Sequence, residues 1–276
     1  MSKCLITKLD AVVNDNTLPV LESMQQFTLD AITASGNETM SDAQKATLNH
    51  FFYQIGAIDN NALWAKIKLL LLPMVCNKNI AKSLINYTTN DLEGTPATPY
   101  WSFAANGGLT CSETTYNITL SDARFVGRSD EVSVVFATMA SSFKSQGALR
   151  FGNRSEISID FLSRLAGDGV RYYFSWRGAS VYTTPSSYTF DIAGLRALSD
   201  RNLFKAIEST SDGVISLTDT TMSGAKEVQD YTSTTGTMQI RSGDFDLGAY
   251  VVAKGLSESE MDTILNAVKQ LKVAFA

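Results

Sequence analysis

The chain has 276 residues, 44% of them apolar, and a formal charge of −5, enough to bury a large core but with no basic field to hold a phosphate backbone. Its three cysteines, Cys4, Cys76 and Cys111, are too few for a disulfide framework, and no two have metal-ligand spacing. These counts argue against nucleic acid as a partner, a disulfide-stapled scaffold or a thiolate-held metal, and leave the cysteines as small buried hydrophobes in a reducing compartment.

Residues 1–35 carry only short apolar clusters, Leu5-Ile6, Val12-Val13 and Leu18 to Leu21. They are too small to make a core, so the segment is expected to be ordered by a partner and to act as an attachment device. The first residues lack the apolar run of a signal peptide, so secretory export is not expected. Ser41-Asp42-Ala43-Gln44 is a capping box, and Leu48, Phe51, Phe52 and Ile55 follow at helical spacing, with Gly56 placed for a left-handed cap. Asn61 to Met74 is predicted as the next helix. Leu63, Trp64, Ile67, Leu70 and Leu71 fall on one face of it, Ala65, Leu69 and Leu72 on the other, and Pro73 ends it. Such an element belongs between two layers, and with the preceding helix it would form an antiparallel hairpin within residues 36–92.

Gly94, Pro96 and Pro99 then mark a boundary. Beyond them the apolar period changes from helical to two, with strands predicted at 116–120, 131–137, 156–161, 170–176, 188–191, 203–207, 213–217, 238–241 and 248–253. Ser257-Glu258-Ser259-Glu260 is a second capping box, and Met261, Ile264, Leu265, Val268 and Leu271 form one stripe of a closing helix. The expected fold is mostly β: an antiparallel sandwich over residues 93–276, preceded by a helical hairpin and closed by a C-terminal helix.

Three stretches carry a resemblance: Asn61-Ala62-Leu63-Trp64-Ala65-Lys66-Ile67, Ser83-Leu84-Ile85-Asn86, and Leu247 to Ser257 ahead of the last helix. Together with the opening Met1 to Asp10, their order resembles a family of bacteriophage virion proteins, tail, fibre or head-fibre components with a concanavalin A-like (laminin G-like) jelly roll. The resemblance implies a virion structural subunit assembled in the bacterial cytoplasm. It would oligomerise with itself and bind other virion proteins through its N-terminal segment, displaying the jelly roll for assembly or host contact. The alternatives are a carbohydrate-binding receptor protein of the same fold and, less favoured, a glycan depolymerase.

The residues offer little catalytic chemistry. His50 is the one histidine and is expected on the solvent side of its helix. The carboxylates Glu131, Glu156, Asp160, Glu208 and Asp246 do not form a Glu-x-Asp-x-x-Glu strand, so a glycoside hydrolase pair is not expected. The chain is read as a non-enzyme without cofactor or metal site. Asn14-Asp15-Asn16 and Asp59-Asn60-Asn61 are read as turns and caps. Tyr172, Phe174 and Trp176 share the parity of a core face, which leaves Tyr173 and Tyr182 as candidate ligand-binding residues for a glycan or protein surface.

Overall fold

The computed structural model describes residues 24–94, 96, 99–112, 118–140, 148–151, 159–166, 169–176, 179–183, 190–198, 201–210, 216–221, 230–232, 237–241 and 246–276; between 148 and 183, between 216 and 221, and at 121–124, 129, 201, 202, 204, 237, 239 and 241 the backbone alone is described. Cys4, the Asn14-Asp15-Asn16 run and most of the expected attachment segment lie outside these residues.

A helical hairpin does precede the sandwich, but its arms are not the expected ones. Helix α1 (Gln26–Ser35) runs antiparallel to α2 (Asp42–Gln54); Thr28 Oγ1 donates to Asn49 Oδ1 at 2.6 Å, and Phe27 meets Phe52 edge-on at 4.9 Å. The Ser41–Gln44 capping box starts α2. Gly56, at φ +80°, ends it, with Gly56 N–H donating to Tyr53 O and Ala57 N–H to Phe52 O. Asn61 then caps a helix of five residues only, α3 (Ala62–Lys66), accepting from the amides of Leu63 and Trp64.

The predicted long helix stops there, and Ile67–Leu71 is a strand, β1. The correction has a definite cause. In the antiparallel pairing of β1 with β18 (Leu247–Lys254), the register slips between Ile67 and Leu69, which makes Lys68 the extra residue of a β-bulge. The bulge sends Ile67, Leu70 and Leu72 to one face and Leu69 and Leu71 to the other. The expected position between two layers is correct; the backbone filling it is extended. Trp64, expected at the heart of this element, is half-buried against Phe27 at its margin.

Seventeen further strands follow β1 in the described chain: β2 (Ile85–Asn86), β3 (Asp91–Leu92), β4 (Trp101–Phe103), β5 (Leu109–Cys111), β6 (Ile118–Arg124), β7 (Gly127–Arg128), β8 (Val132–Thr138), β9 (Ala148–Phe151), β10 (Ile159–Ala166), β11 (Gly169–Trp176), β12 (Ala179–Thr183), β13 (Ile192–Ala197), β14 (Arg201–Ile207), β15 (Ser216–Thr221), β16 (Asp230–Tyr231), β17 (Thr237–Arg241) and β18. Ten form one antiparallel sheet in the order β15-β14-β13-β8-β18-β1-β2-β3, with the β4–β5 hairpin joined to β18 through β5. Six form a second sheet, β12-β11-β10-β9-β17-β6, and β7 pairs with β16. Strands on both sides of the Gly94–Pro99 loop thus share one sheet. The fold is an antiparallel β-sandwich of jelly-roll kind with a closing helix, α4 (Glu258–Phe275).

Two cores hold it together. Leu71, Leu120, Phe136, Leu195, Met238, Ile240, Tyr250 and Val252 fill the space between the sheets. Leu48, Phe51, Phe52, Leu70, Val135, Val251, Ile264 and Val268 fill a second core between the ten-stranded sheet and the helices. Helix α4 packs on both that sheet and α2, with Met261, Ile264, Leu265, Val268 and Leu271 fully buried. Gly194 allows the close approach, because a Cβ there would meet Met261 Sδ at 3.1 Å. Polar ties anchor the helix: Lys66 to Glu260 at 2.7 Å, Lys205 to Glu258 at 2.9 Å and Asp262 at 2.5 Å, and a buried Lys272–Asp191 pair. Among the described residues no helix is long and apolar enough to cross a membrane.

Candidate functional site

Helices α1 to α4 contribute to the core on the far side of the ten-stranded sheet, so attention falls on the outer face of the six-stranded one. Its two faces can be told apart at β6 and β17: Ile118, Leu120, Met238 and Ile240 are buried in the inter-sheet core, while Thr119 is exposed. Cross-strand register then extends the assignment over the whole sheet, because residues paired directly across strands share a face. The row Ile118, Ile240, Leu149, Phe161, Phe174, Val181 and the row Leu120, Met238, Phe151, Ile159, Trp176, Ala179 belong to the core face.

The rows of opposite parity belong to the outer face. One reads Thr119, Gln239, Arg150, Asp160, Ser175, Ser180 across all six strands. At the usual strand spacing it is about 24 Å long. The next outer row reads Arg241, Ala148, Leu162, Tyr173, Tyr182. The two tyrosines named from sequence parity are therefore direct cross-strand partners in β11 and β12, although their side chains are outside those described. Sequence reasoning missed the arginines and the Ser-Gln row beside them. Their signal was the same period-two parity, and register between strands was needed to line them up.

The carboxylates are not assembled into a hydrolytic pair by the strands. Glu131 leads into β8 and Asp246 into β18, and Val132 pairs with Lys254 while Thr138 pairs with Leu247. They sit at opposite ends of that pair, roughly 20 Å apart by strand rise, against the ~5–9.5 Å a glycosidase needs. Asp246 is buried and accepts from Asn106 Nδ2 at 2.8 Å, and Glu131 accepts from the Arg128 amide at 3.0 Å. Glu208 follows β14 on the other sheet from Asp160, and Glu156 lies outside the described residues.

His50 is not on the surface. It is 3% exposed, because α2 is enclosed by α1, α4 and the sheet rather than being covered on a single side. Burial holds its pKa below the usual histidine range, and Nδ1 has no hydrogen-bond partner among the described residues. Cys76 and Cys111 are buried, and burial pushes the Cys76 thiol up to about 12. Asn61 is a helix cap, as read from sequence.

A cleft of about 320 Å³ opens at the other side of the molecule, between Asn37, Met74, Asn77, Lys78, Asn106 and Phe275. Asn77 and Lys78 are consecutive left-handed residues at φ +45° and +61°. Their side chains join its walls: Asn77 Nδ2 donates to Thr39 Oγ1 at 3.0 Å, and Lys78 Nζ to the Ala105 carbonyl at 3.1 Å. These polar groups are engaged with one another, which makes the cleft a weaker ligand site than the open face.

No protein-family model matches the chain, and no curated protein sequence does. Among solved structures it is similar to a GH54 α-L-arabinofuranosidase soaked with a cyclic sulfate inhibitor, at 15% identity over 63% of this chain and 41% of that one, TM-score 0.42. It is similar to domain 4 of AbnA, a GH43 extracellular arabinanase from Geobacillus stearothermophilus in complex with arabinotriose, at 12% identity over 72% and 98%, TM-score 0.44. It is also similar to a TRIM65 PSpry domain, at 8% identity over 58% and 88%, TM-score 0.29. The chain spans about two fifths of the length of the arabinofuranosidases it matches. One expectation is corrected at this point. The chain was read as a non-enzyme, yet structures matched to it include glycoside hydrolases. A lone histidine and a missing carboxylate motif do not exclude an enzyme.

Proposed function

We propose that this chain is a carbohydrate-binding protein that holds a glycan on the outer face of its six-stranded sheet. The observation that supports this reading is the register: two tyrosines paired directly across β11 and β12, beside a continuous polar row, on a face with none of the described helices. Aromatic rings offer a flat apolar surface with a polar tip. Ser, Gln, Arg and Asp in a row supply both donors and acceptors for hydroxyl groups. A face about 24 Å long accommodates several sugar units. The test is a glycan array on the intact chain followed by titration of Tyr173→Ala/Tyr182→Ala. Loss of binding with an unchanged melt supports the assignment, and undiminished binding removes it. The same glycans, incubated with the protein and analysed for shortened products, tell a binder from a hydrolase.

The bacteriophage setting is a second proposal and rests on the resemblance. The three stretches that carry it lead into or form β1, β2 and β18, neighbours in one sheet, which suits a packing role as well as a family signature. Its test is particle incorporation. A chain lacking residues 1–21 should stay folded and be left out of particles; normal occupancy of the shortened chain would sink the idea.

A further inference from the structure

The outer face carries a charge pattern that the chain as a whole does not. In the two outer rows and the Arg164–Arg171 pair that follows them along β10 and β11, Arg150, Arg164, Arg171 and Arg241 stand against one carboxylate, Asp160, in a protein whose formal charge is −5. Arg164 and Arg171 are direct cross-strand partners in β10 and β11. Like charges directly opposite each other in a sheet are destabilising. They lie two residues along from Leu162 and Tyr173, about 7 Å by strand rise, so they flank the tyrosine pair at the distance of an adjacent sugar unit. Guanidinium groups match carboxylate and sulfate geometry with paired donors, which a neutral hydroxyl cannot reciprocate as strongly.

Building on the glycan-binding reading above, we infer that the ligand is an anionic saccharide, bearing carboxylate or sulfate groups, which bridges Arg164 and Arg171 while a neighbouring unit lies over Tyr173 and Tyr182. Arg150 is paired in register with Asp160 and is assigned to the polar row rather than to the anion.

The experiment uses the intact chain and four probes: oligogalacturonate, the matched neutral galacto-oligosaccharide, a chondroitin sulfate oligomer and a single-stranded DNA oligomer. The expected result is binding of one or both acidic saccharides at least about tenfold tighter than the neutral one, weakening with added salt; which acidic probe wins separates carboxylate from sulfate. Arg171→Glu should lose that preference without lowering the melting temperature, because it places opposite charges across the pair. Arg164→Gln, which removes a charge without reversing it, gives the same reading independently. Equal binding of the neutral oligomer overturns the anionic assignment and leaves glycan binding intact. Absence of binding to any saccharide overturns both. DNA bound as tightly as the acidic saccharides overturns the saccharide assignment in favour of a general polyanion surface.

Discussion

Strand β8 is buried along all seven of its residues, whereas in β6 buried Ile118 and Leu120 flank an exposed Thr119. The difference runs through the two sheets. The ten-stranded sheet lies between two cores, with alternate residues of β1, β8 and β18 serving the inter-sheet core and the helix-side core. Among the described residues the six-stranded sheet packs one face, and register places a polar, arginine-rich parity on the other. A sheet packed on both sides gives up surface for stability, and a sheet packed on one side keeps a surface for contact. Disturbing the first should therefore unfold the protein, and disturbing the outer face of the second should change what it binds.

The largest effect is expected at the buried ion pair on the helix-covered side. Lys272 Nζ donates to Asp191 and, at 2.9 Å, to the Ala140 carbonyl, while Ser209 donates to Asp191 from its amide and hydroxyl at 2.9 and 2.6 Å. Burial holds the lysine pKa below its usual range, against the opposing pull of Asp191. Lys272→Met should cost about 3–5 kcal/mol in urea unfolding, because it strands a buried carboxylate. Adding Asp191→Asn should recover part of that loss. A single-variant cost under roughly 1 kcal/mol would show that the pair is hydrated.

Next in size is Leu70→Ala, which opens a cavity in the helix-side core and should cost about 2–5 kcal/mol. Thr119→Ala on the open face should fall within about 0.5 kcal/mol. Similar costs at the two sites would erase the distinction between the sheets.

A pH titration sharpens the same contrast. Burial lowers the His50 pKa in the fold, so the unfolded chain takes up the proton first. The contribution is fully present above the unfolded pKa near 6.5 and is lost as pH falls through the acid range below it. The unfolding midpoint should drop between pH 7.5 and 5.5, and His50→Gln should drop less. Parallel curves for the two proteins would mean that another group titrates there.

A small effect on stability and a large one on binding are expected at the tyrosine pair. Tyr173→Ala/Tyr182→Ala should change unfolding by under about 1 kcal/mol while abolishing retention on an immobilised glycan. A large loss of stability would place the rings in a core instead.

Much of this molecule was legible locally. The capping boxes at Ser41 and Ser257, the left-handed Gly56, the stripe of α4 and the alternation of β8, β11 and β18 are short-range patterns, and a helix cap or an alternating strand is specified within a few residues. Tyr173 and Tyr182 were named by the same parity. Two things were settled only by tertiary structure. The bulge at Lys68 turned the alternation of β1 into an i, i+3 spacing shared with Leu63, and apolar periodicity cannot separate that from a helix; pairing with β18 decided for the strand. His50 was placed on a water-facing side by a helical wheel that knew one partner layer, whereas α2 has more than one. The cross-strand pairing of Tyr173 with Tyr182 and of Arg164 with Arg171 is likewise a matter of register. Register is fixed by contacts between strands and by which face each strand must bury, and no single strand's sequence contains it.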